Sequence, residues 1–227
     1  TLAMDIARHA AFKQNIPTIL FSLEMSCTEM SQRVLAAETN IALNRLRDER
    51  NMDMGSWQQL NSTLQRIQEK PLYLDDSANM SMMEIRAKCR RLKQTGNLGL
   101  IIVDYLQLMS SMRVMESRQT EVAMFSRQLK LLAKELEVPV IALSQLNRGV
   151  EARMDKTPML SDLRESGSIE QDADMVFFVY RPEVYNHDER QGEADIILAK
   201  HRNGSLGKFP VVFEGRFSRF MNMPNYA

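Results

Sequence analysis

The chain has 227 residues, 44% of them apolar and 26% charged, with a formal net charge of zero. That length suits one sizeable α/β domain, or a domain with a small appendage, and the composition is that of an ordinary soluble globular protein. Zero net charge excludes a global basic field for nucleic acid, two isolated cysteines disfavour a zinc site or disulfide framework, and no apolar run approaches the roughly 18 residues of a membrane span.

The first residue is Thr1, and the stretch 1–12, TLAMDIARHAAF, already reads as helix interior, with Leu2, Ile6, Ala10 and Phe12 on one stripe and no capping residue before it. Asp5 and Arg8 within that helix argue against a signal peptide. The reading is of a chain cut upstream, from a reducing, cytoplasmic setting.

PTILFSLEMS, 17–26, is a buried strand, followed by a helix over 27–38 with Ser26 or Thr28 as its cap. Residues 40–70 are polar and helical in rhythm around Trp57 and Leu60, and PLYLDDS, 71–77, is a short strand ending in two aspartates. A basic amphipathic helix covers 81–94, closed by Gly96 and Gly99. The strand LGLIIVDYLQL, 98–108, leads into a polar loop, 110–119, then a long helix over 120–137 and the strand VPVIALSQ, 138–145. A second polar loop spans 147–168, and MVFFVY, 175–180, is another strand. ADIILAK and FPVVFE then flank Asn203-Gly204, a strong hairpin signal, and RFSRF ends the series.

Continuous apolar strands alternating with helices predict a mostly parallel sheet covered by helices on both faces, with a C-terminal antiparallel hairpin extension; the whole chain, 1–227, reads as one domain. Three of the apolar runs end in a polar residue: Glu24 after ILFSL, Asp104 after LIIV and Gln145 after VIALS. Ligands of open parallel sheets bind outside the carboxyl ends of the strands, so the three aim at one rim. For any one of them a merely wet strand end explains the residue as well; the three together point to a ligand site.

FSLEMS, IIVDYLQLM, LAKELEVPVIALSQLNR, DLRESGSIEQDAD and KHRNG occur in this order. Together they resemble the C-terminal motor domain of bacterial replicative DNA helicases, the DnaB family, over nearly the whole chain. The resemblance implies a RecA-like fold, ATP and Mg²⁺ as cofactors, and coupling of ATP hydrolysis to movement on single-stranded DNA. It implies a hexameric ring of identical subunits, with primase and a helicase loader as partners. Asp104 then matches the Walker B aspartate near Mg²⁺, Glu24 the glutamate that activates water, and Gln145 the amide that senses the γ-phosphate. Lys200 and Arg202 resemble cations that reach the neighbouring subunit's nucleotide, although a solvated hairpin tip carries such residues too. Arg181 resembles an arginine beside the nucleotide base.

By the same resemblance Arg164, Glu165 and Gly167 line a channel for single-stranded DNA. From the residues alone, Ser166 or Ser168 equally reads as the cap of a helix with Glu170 in its first turn. Arg113 and Arg118 mark either a second channel loop or a solvated one. The family's phosphate cradle, GxxxxGK[ST], has no match in the chain, whose Gly207-Lys208 precedes Phe and Pro in a hairpin strand. Thr1 resembles the residue just after, or within, the end of that cradle. The expectation is a downstream portion of a helicase gene product, trimmed or spliced at that point, with poor ATP binding and no hydrolysis by residues 1–227 alone. Rival readings are a recombinase-type or clock-type RecA-like ATPase and a non-catalytic oligomerisation or DNA-binding fragment.

Overall fold

The computed structural model describes residues 1–48, 50, 52–78, 80–109 and 117–224, and the side chains of 164–166 lie outside the description. The centre is a parallel sheet built from β1 (Thr18–Ser22), β2 (Leu72–Asp75), β3 (Leu100–Asp104) and β4 (Val140–Ala142) in the order β2-β1-β3-β4. All five residues of β1 and the first four of β3 are buried, because helices cover both faces and leave no solvent side for alternation. Ile19, Phe21, Ile101 and Val103 point one way, into Ile85 and Cys89 of α5 (Met82–Gly96) and Phe125, Leu129 and Leu132 of α6 (Arg118–Leu136). Leu20 and Ile102 point the other way, against Met4, Ala7 and Ala11 of the N-terminal helix and Met30 and Val34 of α2 (Cys27–Thr39). That N-terminal helix is α1 (Leu2–Arg8), continued by a wider π turn over His9–Lys13. Two further helices, α3 (Leu43–Arg47) and α4 (Met54–Ile67), occupy the polar stretch before β2.

A second, antiparallel sheet follows: β5 (Met175–Tyr180), β6 (Glu193–His201), β7 (Gly207–Glu214) and β8 (Arg219–Asn222), paired in sequence order. The hairpin therefore does not extend the parallel sheet. It starts a sheet of its own, and among the described residues no ladder joins β4 to β5. A short helix, α7 (Gly167–Asp172), precedes it and packs on α6 through Ser126, whose hydroxyl donates to Asp172 at 2.9 Å. The far end of the second sheet returns to the first layer: Phe220 N donates to Asp5 Oδ2 at 2.8 Å, and Arg219 Nη1 donates to Asn40 Oδ1 at 2.6 Å. The turn at 202–206 lets β6 and β7 reverse; a Cβ on Gly204 would lie 2.3 Å from the His201 ring, so any larger residue there must displace that ring.

Several boundaries move from the sequence reading. Ser26 and Ser81 cap α2 and α5 through reciprocal boxes with Glu29 and Glu84, as their spacing predicts. Helix α5 closes at Asn97, which adopts the left-handed conformation at φ 54°, while Gly96 stays inside the helix and Gly99 leads into β3. The 147–168 stretch holds two 3₁₀ turns, Arg148–Ala152 and Leu160–Ser166, tied by an ion pair of Arg153 to Asp162 at 2.8 Å. The RFSRF segment splits into a turn over Gly215–Phe217 and β8. The second Leu160–Ser166 turn runs directly into α7, and the Ser168 hydroxyl is buried with no hydrogen-bond partner among the described residues, so it makes no cap there. No helix among the described residues is long and apolar enough to cross a membrane.

Candidate nucleotide site

The carboxyl rim of the parallel sheet gathers the polar strand-end residues. Ser22 lies opposite Asp104 in register, and Leu23 N donates to Asp104 O at 2.8 Å, so Glu24 leaves β1 directly beside the end of β3. On the other flank Leu143 N donates to Val103 O at 2.9 Å and Leu106 N to Leu143 O at 3.1 Å, which carries Gln145 past the same rim. Glu24 and Gln145 are exposed and Asp104 is half-buried. The peptide bond between Asp104 and Tyr105 is cis.

Burial pushes the Asp104 carboxyl above its ordinary value; the negative charge of Glu24 adds to the rise, and Arg33 opposes it. A carboxylate that is costly to desolvate and has no side-chain cation bonded to it is suited to a hard cation in its water shell. Among the described residues no group of three or more His, Cys, Asp or Glu forms a metal cage. A hard, weakly dehydrating cation such as Mg²⁺ is ordinarily held by one or two carboxylates with several waters retained, and the Asp104 carboxylate is compatible with that kind of site.

Thr1 stands at the same corner, its hydroxyl 3.5 Å from Ser218 Oγ. Arg33, which the sequence reading did not single out, belongs here too. Its Nη1 donates to Ser218 Oγ at 3.3 Å, and its Nε is buried with no partner among the described residues. A buried guanidinium N–H left without a partner is costly, and the Arg33 charge lies close enough to oppose the rise at Asp104. The signal for it was present in the helix pattern: Arg33 follows buried Met30 by one turn and precedes buried Val34, so it borders the stripe that faces the sheet. The two aspartates at the end of β2 serve the scaffold instead. Asp75 bonds Lys88 Nζ at 2.5 Å, and Asp76 accepts from Cys27 N at 2.7 Å at the start of α2.

The other predicted residues lie elsewhere on this chain. Lys200 Nζ donates to the main-chain oxygen of Glu170, and Arg202 pairs with Asp174 at 3.1 Å, an aspartate that also bonds Lys130. Both cations therefore sit at the corner of α7, β5 and the β6–β7 turn. Arg181 bonds Glu183 and lies 4.0 Å over the Phe213 ring, on the antiparallel sheet. Gly167 opens α7 with open space where a Cβ would be, and Arg164 and Glu165 fall in the preceding 3₁₀ turn, their side chains outside the description. Arg113 lies outside the described residues; Arg118 is the first residue of α6 and donates to the main-chain oxygens of Gln107 and Met109.

A family model described as "DnaB-like helicase C terminal domain" matches residues 1–222. A replicative DNA helicase DnaB from Leifsonia xyli subsp. xyli is 58% identical over 224 residues, covering 98% of this chain and 49% of that protein. One from Mycobacterium intracellulare is 57% identical over 98% of this chain and 39% of that protein. The chain thus spans about half the length, or less, of these relatives. Among solved structures, one described as an ATPase domain superposes with a TM-score of 0.92 at 35% identity, covering 97% of this chain and 79% of that one. A structure of a DnaB-like replicative helicase and its interactions with primase superposes at 0.91 with 34% identity, covering 97% and 54%.

Proposed function

The chain belongs to the DnaB-like helicase C-terminal domain family, and from that membership we propose that it is the RecA-like motor portion of a replicative DNA helicase that couples ATP hydrolysis to translocation on single-stranded DNA. The observation that carries this reading is the shared rim: Glu24, Asp104 and Gln145 leave three adjacent parallel strands at one edge, with Thr1 and Arg33 beside Asp104. In that reading Asp104 holds the water shell of Mg²⁺, and Glu24, exposed at the rim, takes a proton from the attacking water. Mg²⁺, when bound, would supply charge neutralisation for the phosphates. Gln145 offers an amide able to donate to a phosphate oxygen while accepting from a neighbour.

Lys200 and Arg202, held on the far corner of the chain, act on the nucleotide of an adjacent subunit, which requires head-to-tail contacts that close into a hexameric ring. Arg181 lies beside the base, and the turn carrying Arg164, Glu165 and Gly167 tracks single-stranded DNA through backbone and charge rather than base edges. Thr1, at the same corner as Asp104, borders the nucleotide's phosphates. The working setting is the cytoplasm, with primase and a helicase loader as partners.

Alanine at Glu24 in the complete protein tests the assignment. Nucleotide binding should persist while DNA-stimulated hydrolysis falls by about 10²–10⁴-fold and unwinding stops. Normal unwinding by Glu24→Ala would remove the proposed water-activating role.

A further inference from the structure

Gln107, in the 3₁₀ turn Leu106–Leu108 just after β3, makes an unusual set of bonds. Its side-chain nitrogen donates to Ser144 Oγ at 2.8 Å and to Gln145 O at 3.3 Å, and its side-chain oxygen accepts from Gln145 N at 3.2 Å. The amide thus gives Gln145 the paired acceptor and donor that a neighbouring strand would give it, and continues the β3–β4 ladder after its backbone pairs have ended at Val103–Ala142. The main chain of the same turn is itself pinned. Arg118, first residue of α6, donates to Gln107 O and, at 2.9 Å, to Met109 O, and its other terminal nitrogen pairs with Glu121. By contrast, among the described residues the side-chain amide of Gln145 has no partner; it lines a small cleft of about 100 Å³ shared with Gln107, Arg118 and Asn147.

We propose that Gln107 is a positioning residue that locks the backbone of Gln145 to the strand carrying Asp104, holding Gln145 at the carboxyl rim where the proposed function has its amide act. This deepens the proposed function and rests on Gln145 acting there. The physical need is plain. Three residues after the last ladder pair, residue 145 has no strand beside it, and its backbone N–H and C=O would otherwise be left to water. A displacement of about 1 Å at a reacting centre costs on the order of 10²-fold in rate. Arg118 makes the lock rigid from the α6 side, because it fixes the main chain on which the Gln107 side chain is mounted.

The test uses the complete protein and steady-state ATP hydrolysis with single-stranded DNA present. Gln107→Ala should lower kcat by about 10- to 100-fold with KM for ATP held within about threefold. In a Gln145→Ala background the same change should cost nothing further, since a residue that acts only through Gln145 is non-additive with it. Gln107→Glu keeps the acceptor and loses the donor, so it should be slow at neutral pH and regain rate, relative to the parent, as acidification protonates the carboxylate and restores an O–H. A variant Gln107→Ala with parental kcat, or one that loses the same factor in both backgrounds, overturns the proposal. So does a Gln107→Glu profile parallel to the parent's, which also serves if the alanine variant fails to fold. Parental kcat in Gln145→Ala would instead remove the role of Gln145 on which the proposal stands, whereas a slow Gln145→Ala beside a fast Gln107→Ala removes only the lock.

Discussion

Replacing Asp195 by asparagine probes what holds the antiparallel sheet together. Asp195 lies in β6 at 1% exposure, with Arg190 donating to both carboxylate oxygens at 2.7 and 2.9 Å and Lys208 at 2.9 Å. The same strand carries Lys200 towards its end. Asparagine keeps the shape and one acceptor but leaves two cations facing a neutral group. Breaking a fully buried pair costs about 3–5 kcal/mol. Here the side chains of Arg190 and Lys208 are 33% and 54% exposed and rehydrate, which reduces the expected loss to about 2–3 kcal/mol. At about 2–4 °C per kcal/mol for a domain of this size, the melting temperature should fall by about 4–12 °C at pH 7. Hydrogen bonds from Arg190 hold the Asp195 carboxyl below its ordinary value despite burial, with Lys208 adding to the effect. A lowered carboxylate stabilises the fold above its unfolded value of about 3.9 and ceases to do so as pH falls through the folded value. The gap between Asp195→Asn and the parent should therefore narrow as the pH is lowered toward about 3. Thermal denaturation of the complete protein across pH reads both quantities. A gap below about 1 °C at pH 7, or one unchanged in acid, would refute the ion-pair argument.

Two further substitutions test the scaffold of the parallel sheet, one at the amino ends of its strands and one at the start of α2. A Cβ on Gly99 would lie 2.5 Å from Ile16 Cγ2, so Gly99→Ala should cost about 1–3 kcal/mol by overpacking, and Ile16→Ala should recover most of it; a denaturant titration without that recovery would place the strain elsewhere. Ser26→Ala removes the acceptor for Glu29 N at 3.2 Å and half of the capping box of α2, for an expected loss of about 1 kcal/mol in the same titration, against no change if the box contributes nothing.

The parallel sheet was legible because its strands are buried on both faces: ILFS and LIIV read as continuous apolar runs, and Ser26 was one of the two cap candidates for the helix that follows β1. Glu24, Asp104 and Gln145 were legible for the same reason, since a polar residue ending such a run falls at the rim whatever the tertiary detail. What was not legible depends on register between distant segments. Gln107 reads as one more polar residue after a strand until β3 and β4 are aligned, and its bonds span 37 and 38 residues of sequence. Arg33 reads as the edge of a helical stripe until Ser218, 185 residues later, is seen against it. The division into two sheets was likewise hidden: MVFFVY has the look of another buried parallel strand, yet Phe177 and Val179 are exposed, and its partner is the antiparallel β6. Asn97 in place of a glycine at the end of α5 reflects the tolerance of asparagine for the left-handed region, a substitution that composition alone does not reveal.

Metal binding at Asp104 decides whether the rim is a nucleotide site. With ADP bound to the complete protein and Mn²⁺ in place of Mg²⁺ as a paramagnetic reporter, electron paramagnetic resonance titration gives the metal affinity directly. Asp104→Asn should weaken it by about 10- to 100-fold while metal-free ADP binding stays unchanged. Mn²⁺ held as tightly by Asp104→Asn as by the parent would contradict the placement of the cation at the end of β3.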